Sequence, residues 1–267
     1  MTATHAQTAL DDDVLYQLVD GIATLTLNRP TRYNTLTSAV IATLSTRLAA
    51  IAASAAVRVV IVAATGKAFS TGHDLKEMNA NRDAAFYRRL LADCSRMMQA
   101  IVALPQPVIA QVQGIATAAG CQLVATCDLA IAAASARFAT NGIQNGLYCA
   151  TPSVAVSRVV PRKHALEMLL TGDFIDAARA ADIGLVNHVV DDAELVATTR
   201  ALAQRIAEKS QYAVRLGKAS FYRQVNQSLD SAYRATSEEL LCNLLATDGI
   251  EGLNAFIEKR PPQWQDR

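Results

Sequence analysis

Two segments of this chain share a pattern in which an apolar run leads into a glycine-containing loop and the loop leads into a helix. The first joins the β-branched run 57–63 to the segment 67–78, and the second joins 108–112 to 113–122. Each helix start presents backbone N–H groups that lack an internal acceptor. Such groups suit an anion or an oxyanion. Two donors aimed at one point can polarise a thioester carbonyl and stabilise its enolate, so the pattern indicates a reaction class before any side chain is considered.

The periodicity of the first two thirds predicts an α/β fold. Residues 15–19 and 22–27 flank Asp20 and Gly21 as a β-hairpin. Beyond the hairpin, apolar runs alternate with helical patterns, and a helix starting at Thr37 is expected to continue to about Ala56. Strands are predicted at 57–63, 108–112 and 128–132, and further helices at 82–104 and 118–126. This alternation implies right-handed crossovers and a largely parallel sheet.

The last quarter of the chain has a different character. Four helical patterns follow one another at 192–208, 212–224, 229–246 and 249–259, and no strand is predicted among them. Successive helices without a sheet must bury their apolar faces on the main body or on a partner chain. Both possibilities stay open on this pattern alone.

Composition narrows the classes of function. The 267 residues are half apolar and carry a net charge of +1, which gives no basic surface for nucleic acid. No uncharged apolar run reaches the ~18 residues of a membrane span. The five cysteines show no CxxC spacing, and with four histidines they make no metal-site pattern. Reduced thiols and an N-terminus without signal or transit features lead us to expect a cytoplasmic protein.

Five motifs in order resemble the enoyl-CoA hydratase/isomerase family, also called the crotonase family. They are Asn28-Arg29-Pro30 with Asn34, the loop 69–78, the loop 114–128, the pair Thr171-Gly172 with 181–186, and the tail 251–260. The resemblance covers about residues 14–264. Phe138-Ala139-Thr140, Cys149-Ala150-Thr151-Pro152, Val160-Pro161-Arg162-Lys163 and 165–169 are similar to the branch formed by the enoyl-CoA hydratase domain-containing proteins.

The resemblance implies a fold, an assembly and a ligand. It implies a crotonase (ClpP/crotonase-like) core, a β-β-α spiral that occupies residues 1–195. Residues 196–267 would be a helical region that assembles trimers, usually stacked as hexamers. The ligand would be the thioester of an acyl-CoA, with coenzyme A entering as part of the substrate and no separate cofactor.

The resemblance also assigns the thioester site. The two carbonyl donors would be the backbone N–H groups of His73 and Ala119, with Gly72 and Gly120 letting the loops approach the ligand without a Cβ in the way. Ser70, Asp74 and Leu75 would line the same first loop. The imidazole of His73 is a candidate acid–base or a packed side chain, and Asp74 is expected to cap the following turn. Asp128 is expected to tie down a strand start.

The proton-transfer groups of the family are missing. Active hydratases carry two glutamates over the substrate, and the corresponding positions here are Gln122 and Gly142; the acid of certain isomerases falls on Ala150. An amide can only position a water. Because general acid–base groups contribute ~10²–10⁴-fold each, little hydration is expected. Cys149 is expected to lie near the acyl site. Its thiol could act as a nucleophile or a weak acid, or it could be an inert buried group.

Recognition of CoA phosphates needs cations. Arg32 lies in the segment 28–34, where the family often has a basic residue, while Phe256 and Lys259 match tail positions that reach a neighbouring subunit's CoA in the family. Each cation also fits a solvated surface.

Three functions therefore remain open: an acyl-CoA enzyme with unorthodox proton transfer, a non-catalytic acyl-CoA-binding protein, and a distant peptidase-like option with Ser70, His73 and Asp74, which would need triad geometry.

Overall fold

The computed structural model describes residues 13–267 and shows two sheets wrapped by helices. The strands are β1 Val14–Val19, β2 Ile22–Leu27, β3 Val59–Ala64, β4 Ala68–Ser70, β5 Val108–Val112, β6 Ile115–Thr117, β7 Leu129–Ala133, β8 Arg137–Ala139, β9 Ile175–Asp176 and β10 His188–Val190. The helices are α1 Ser38–Ala52, α2 Leu75–Ala80, α3 Ala84–Ala103, α4 Ala119–Thr126, α5 Ala150–Val159, α6 Arg162–Thr171, α7 Ala177–Asp182, α8 Leu195–Ala207, α9 Gln211–Gln224, α10 Leu229–Leu245 and α11 Thr247–Glu258.

The larger sheet has the order β1-β2-β3-β5-β7-β10, and the smaller sheet has the order β4-β6-β8-β9. The β1–β2 hairpin and the β8–β9 pair are antiparallel, while the other pairings are parallel. Three times the chain passes from a strand of the larger sheet to a three-residue strand of the smaller one and then to a helix. This repeat is the spiral of a crotonase core, and it places the starts of α2 and α4 beside neighbouring short strands.

The hydrophobic core lies between the sheets and the helices. The first five of the six residues of β3 are buried, as expected for a strand covered on both faces. Thr37 caps α1 by accepting a hydrogen bond from the N–H of Val40, which confirms the predicted helix start. That helix ends at Ala52, four residues earlier than predicted.

The C-terminal helices divide by burial. Helix α8 packs against β3, β5 and β7 through buried residues that include Leu195, Thr199 and Ala203. By contrast, α10 and α11 expose many large apolar side chains, among them Leu240, Leu245, Ile250, Leu253, Phe256 and Ile257. The part of the chain described, 13–267, contains no helix that is both long and apolar enough to cross a membrane. The boundary at residue 195 stays a prediction.

A buried ion pair fastens α9 to the core. The carboxylate of Asp128 accepts hydrogen bonds from Lys218 Nζ at 2.7 Å, from Tyr222 Oη at 2.8 Å and from the N–H of Val108 at 2.6 Å. Lys218 Nζ also donates to the carbonyls of Ile101 and Gln106. Asp128 therefore does tie down a strand start, that of β5, and the sequence pattern did not show that α9 supplies its other partners. Burial lowers the pKa of Lys218, although Asp128 opposes this, and it raises the pKa of Tyr222.

Candidate functional site: two loops that meet at their glycines

The two strand–loop–helix junctions contact each other through backbone. A Cβ built on Gly72 would lie 2.8 Å from the N atom of Ala119, and one built on Gly120 would lie 2.0 Å from the carbonyl oxygen of Ser70. Real side chains do not tolerate such distances. The expectation that both glycines clear a path to a ligand is thus corrected, because the space that each missing Cβ leaves is filled by the other loop. Gly72, with φ of +83°, also adopts a conformation that favours glycine.

This packing brings two backbone donors close together. Within residues 13–267, neither the N–H of His73 nor that of Ala119 donates to a backbone or side-chain acceptor. Ala119 is the first residue of α4, where helical N–H groups lack an internal partner. A pair of unpaired amides beside a helix N-terminus can hold a carbonyl oxygen on which negative charge develops.

Ala118 holds the second donor in place in a strained conformation. Its φ of 48° and ψ of −119° are unusual for a residue with a Cβ. The strain is maintained on both sides, because the N–H of Ala118 donates to the carbonyl of Ala139 and its own carbonyl accepts from Gln122, both at 3.0 Å. Nothing in the local sequence signals this conformation, since alanine is not a residue that marks positive φ.

The first loop is braced by Asn34. Its side-chain amide donates to the carbonyls of Thr65 and Ala68, and its oxygen accepts from the N–H of Arg29. Ser70 is fully buried; its hydroxyl donates to the carbonyl of Asn34 and accepts from the N–H of Gly72. Ser70 and Asn34 therefore shape the loop rather than face a ligand.

Asp74 caps α2, as predicted. Its carboxylate accepts from the N–H groups of Lys76 and Glu77 and from the hydroxyl of Thr35. Burial alone would raise the pKa of Asp74, but these hydrogen bonds outweigh it and hold the pKa below its usual value. Leu75, the next residue, is half exposed.

His73 turns its ring toward Leu36, with Nδ1 3.4 Å from that carbonyl oxygen. Burial lowers the pKa of His73, against the opposing effects of the Leu36 carbonyl and of Glu77, so the neutral form is favoured. Its Nε2 atom is buried and has no partner among the described residues. Since Ser70, His73 and Asp74 each bond to other groups, the arrangement is not a serine-protease triad.

The two positions expected for proton-transfer groups hold neutral residues with different surroundings. Gln122 is buried in the first turn of α4, and its Oε1 has no partner among residues 13–267. Gly142 is the second residue of the tight turn Asn141–Asn145, and a Cβ there would lie 2.4 Å from the carbonyl oxygen of Leu147 and 2.9 Å from Cys149 Sγ. The thiol of Cys149 thus fills space beside position 142.

Cys149 shows no sign of activation. Burial raises the pKa of its thiol, although the N–H of Gly142 opposes the effect. The neighbouring Cys121 is fully buried, and burial together with Cys149 raises its pKa to about 12. No base among the causes lowers either value, so the inert thiol is the alternative that the structure favours.

The three residues expected to bind the CoA moiety lie on the surface. Arg32 is exposed in the turn 30–32, and Phe256 exposes 85% of its surface near the end of α11. Lys259 follows α11 with φ of 54°. Their roles stay predictions.

A two-sheet spiral whose loops present paired amides defines the crotonase class of proteins. The family model for enoyl-CoA hydratase/isomerase matches residues 17–267. A crystal structure of an enoyl-CoA hydratase from Mycobacterium smegmatis superposes with a TM-score of 0.94 at 48% identity, covering 95% of this chain and 99% of that one. The chain therefore belongs to the enoyl-CoA hydratase/isomerase family, which confirms the predicted family and fold.

Relatives of the predicted branch are also found. Human enoyl-CoA hydratase domain-containing protein 3, a mitochondrial protein, is 45% identical over 246 residues, covering 92% of this chain and 81% of the relative. The crystal structure of that human protein superposes with a TM-score of 0.93, covering 95% of this chain and 100% of that one. Crotonyl-CoA hydratase of Syntrophomonas wolfei is more distant, at 32% identity over 254 residues, covering 93% of this chain and 96% of the relative.

These relatives contradict one expectation. The prediction of a cytoplasmic protein is wrong by this comparison, because the human, Xenopus and mouse relatives are mitochondrial. The cysteine argument separates compartments only by redox state. The other argument concerned the N-terminus, of which residues 1–12 lie outside the described part of the structure.

Proposed function

We propose that this protein binds the thioester group of an acyl-CoA and polarises its carbonyl with the backbone N–H groups of His73 and Ala119. The observation that carries the proposal is the 2.8 Å approach of the Gly72 Cβ position to the N atom of Ala119, which brings the two unpaired amides together. Donors fixed in this way need no reorganisation when charge develops on the oxygen.

The proposed chemistry stops short of efficient hydration. Gln122 and Gly142 stand where hydratases of the family carry glutamates, and neither can exchange a proton at neutral pH. Proton transfer, if it occurs, would pass through water held by the amide of Gln122. We expect crotonyl-CoA hydration with kcat far below the common enzyme value of ~10 s⁻¹; hydration at or above that value would contradict this part.

A non-catalytic acyl-CoA-binding protein is the second candidate. It is favoured by the crowding at Gly142, where the turn leaves no space for any side chain. The two candidates differ in turnover and agree in binding, so a panel of acyl-CoA thioesters assayed for product by mass spectrometry separates them. Product from any thioester supports the enzyme, whereas binding without product supports the pseudoenzyme.

The decisive experiment for the shared step is spectroscopic. Difference infrared spectra of butyryl-CoA carrying a 13C-labelled carbonyl should show a lower carbonyl stretching frequency when bound, because two hydrogen bonds weaken the C=O bond. His73→Ala keeps the backbone N–H and should keep the shift. S-butyl-CoA, which lacks the carbonyl, should bind about 10-fold or more weakly, since each hydrogen bond contributes roughly 0.5–1.5 kcal/mol. An unshifted carbonyl in bound butyryl-CoA would refute the two-amide site.

We also propose a homotrimer, alone or stacked in pairs as a hexamer. Helices α10 and α11 expose many large apolar side chains, and exposed apolar patches commonly mark protein–protein interfaces. In that assembly Phe256 and Lys259 would approach the CoA bound to a neighbouring subunit. Arg32 would contact the phosphates of the CoA bound to its own subunit. Multi-angle light scattering at micromolar concentration should give the mass of three or six chains, and a stable monomer would contradict the proposal.

A further inference from the structure

Helix α11 buries little of its own surface. Within the structure of residues 13–267, Asp248 and Ala255 are the buried residues among its twelve, while Phe256 is 85% exposed. A helix on a globular protein is usually held in place by an apolar face that is buried against the core. The position of α11 therefore needs another explanation, and the segment 263–267 that follows it supplies one.

The backbone of this segment contacts the first turns of α11. The carboxylate of Asp248 accepts hydrogen bonds from the N–H groups of Gln265 at 2.7 Å and Asp266 at 3.0 Å. Glu251, about one turn further along the helix, accepts from the N–H of Gln263 at 2.7 Å. Asp248 exposes only 3% of its surface, and a buried carboxylate is costly unless it is hydrogen-bonded. The segment thus supplies donors that this carboxylate requires.

Two side chains of the segment contact the junction between α8 and α9. The carboxylate of Asp266 accepts from the N–H of Gln211 at 2.8 Å and from both terminal nitrogens of Arg58, at 2.8 and 3.3 Å. Trp264 Nε1 donates to the carbonyl of Glu208 at 3.0 Å. Burial alone would raise the pKa of Asp266, but its hydrogen bonds outweigh this effect and hold the pKa below its usual value. The docked segment therefore favours the charged form of Asp266.

Arg58 connects the junction to the larger sheet. It directly precedes β3, and its backbone N–H donates to the carbonyl of Gly21 at 2.8 Å. Its Nε donates to the carbonyl of Ala207 at 2.6 Å, and its Nη2 donates to the carbonyl of Lys209 at 3.1 Å. The forked guanidinium can bind these carbonyls and Asp266 at the same time. A continuous series of hydrogen bonds therefore joins the start of β3 to α11 through the segment 263–267.

The indole ring of Trp264 packs on α11 at Gly252. A Cβ built on Gly252 would lie 3.4 and 3.5 Å from two carbons of the ring, which is ordinary contact. A methyl group fits there, whereas a longer side chain would compete with the ring for space. Because glycine inside a helix is otherwise unfavourable, the contact with the ring gives a glycine at this position a role.

We propose that residues 263–267 form a latch that fixes α11 on the body of the protein, and that α11 loosens locally when the latch opens while the sheets stay folded. Local opening is expected because the latch is held by hydrogen bonds, an ion pair and a ring contact near the surface, and such regions open at a lower free energy than the core. The latch also fixes where Phe256 and Lys259 lie, and that consequence alone rests on the proposed function.

The sequence contains its own reporter of the latch, because Trp264 is the single tryptophan. Asp266→Ala removes the partner of Arg58 and should increase the quenching of Trp264 fluorescence by acrylamide. Hydrogen exchange followed by mass spectrometry should become at least about 5-fold faster in peptides of α11, the change expected for one lost hydrogen bond, while peptides of α8 keep their rate. As a control, Asp230→Ala breaks an exposed ion pair with Arg234 in α10 and should leave both readings unchanged.

A second pair of variants acts through shape. Gly252→Leu should expose Trp264 to acrylamide and speed exchange in α11, although leucine favours a helix more than glycine does. Gly252→Ala, whose methyl group fits beside the ring, should do neither. Unchanged quenching and exchange in Asp266→Ala or in Gly252→Leu would overturn the latch. Equal acceleration in α8 and α11 would also overturn it, because the whole chain would then be opening. These measurements use no ligand, so their failure would leave the proposed function standing.

Discussion

Adding a glutamate at position 142 should fail to restore hydration, for a reason that is visible in the backbone. A Cβ at Gly142 would lie 2.4 Å from the carbonyl oxygen of Leu147, about 1 Å inside ordinary contact. The turn cannot yield easily, because the N–H of Leu147 donates to the carbonyl of Gly142 at 3.0 Å and closes it. Overpacking of this kind costs about 1–3 kcal/mol, which corresponds to a fall in Tm of roughly 2–10 °C.

The assay uses two variants and one control. The single variant Gln122→Glu leaves position 142 unchanged and so avoids the clash. The double variant Gln122→Glu with Gly142→Glu should hydrate crotonyl-CoA no faster than this single variant and should have a lower Tm. Gly217→Glu adds the same side chain at a glycine with open space around it, so its Tm should stay close to that of the unmodified protein. A double variant that gains about 10²-fold over Gln122→Glu, the lower bound for a general acid–base group, with unchanged Tm, would refute the steric argument.

Three further predictions concern stability. Lys218→Met should cost about 3–5 kcal/mol in urea unfolding, because it leaves the Asp128 carboxylate buried without its cation; a cost below about 1 kcal/mol would contradict this. His73 has a pKa lowered by burial, so its stabilising contribution is present above its unfolded value of 6.5 and is lost as pH falls toward the folded pKa. Between pH 7 and pH 5 the Tm of His73→Asn should therefore fall less than the Tm of the unmodified protein. Equal falls in the two proteins would contradict a lowered pKa for His73. Ala118→Gly should raise Tm by relieving positive-φ strain of about 1–3 kcal/mol, whereas Ala125→Gly inside the helix α4 that follows should lower it.

The sequence predicted the strands and helices that carry a strong periodic signal. The strands β3, β5 and β7 were found because they are apolar runs of five or six residues, and the start of α1 was found because Thr37 is a capping residue. The smaller sheet could not be read in the same way. Its strands have two or three residues, too few to show an alternation, and they form only because each pairs with a neighbour distant in sequence.

In the candidate site, too, the features set by local sequence were predicted and those set by contacts between distant segments were not. The capping role of Asp74 follows from local rules and was predicted. The packing of Gly120 against Ser70 and the partners of Asp128 on α9 both depend on contacts between distant segments. No window of sequence contains both members of such a contact, so local patterns could not show them.

Thioester recognition and proton transfer are separable in this fold, and that separation limits what family membership implies. In the proposed function, recognition depends on the main chain at His73 and Ala119, next to the two glycines at which the loops touch. Proton transfer would depend on the side chains at 122 and 142, which are separate from the backbone groups that would hold the carbonyl. An identity of 48% and a TM-score of 0.94 to an enoyl-CoA hydratase therefore do not by themselves imply that proton transfer is retained. The prediction that follows is that the lowered carbonyl stretching frequency of bound butyryl-CoA will persist in Gln122→Met. Its loss in that variant would show that the side chain at 122 belongs to the carbonyl site.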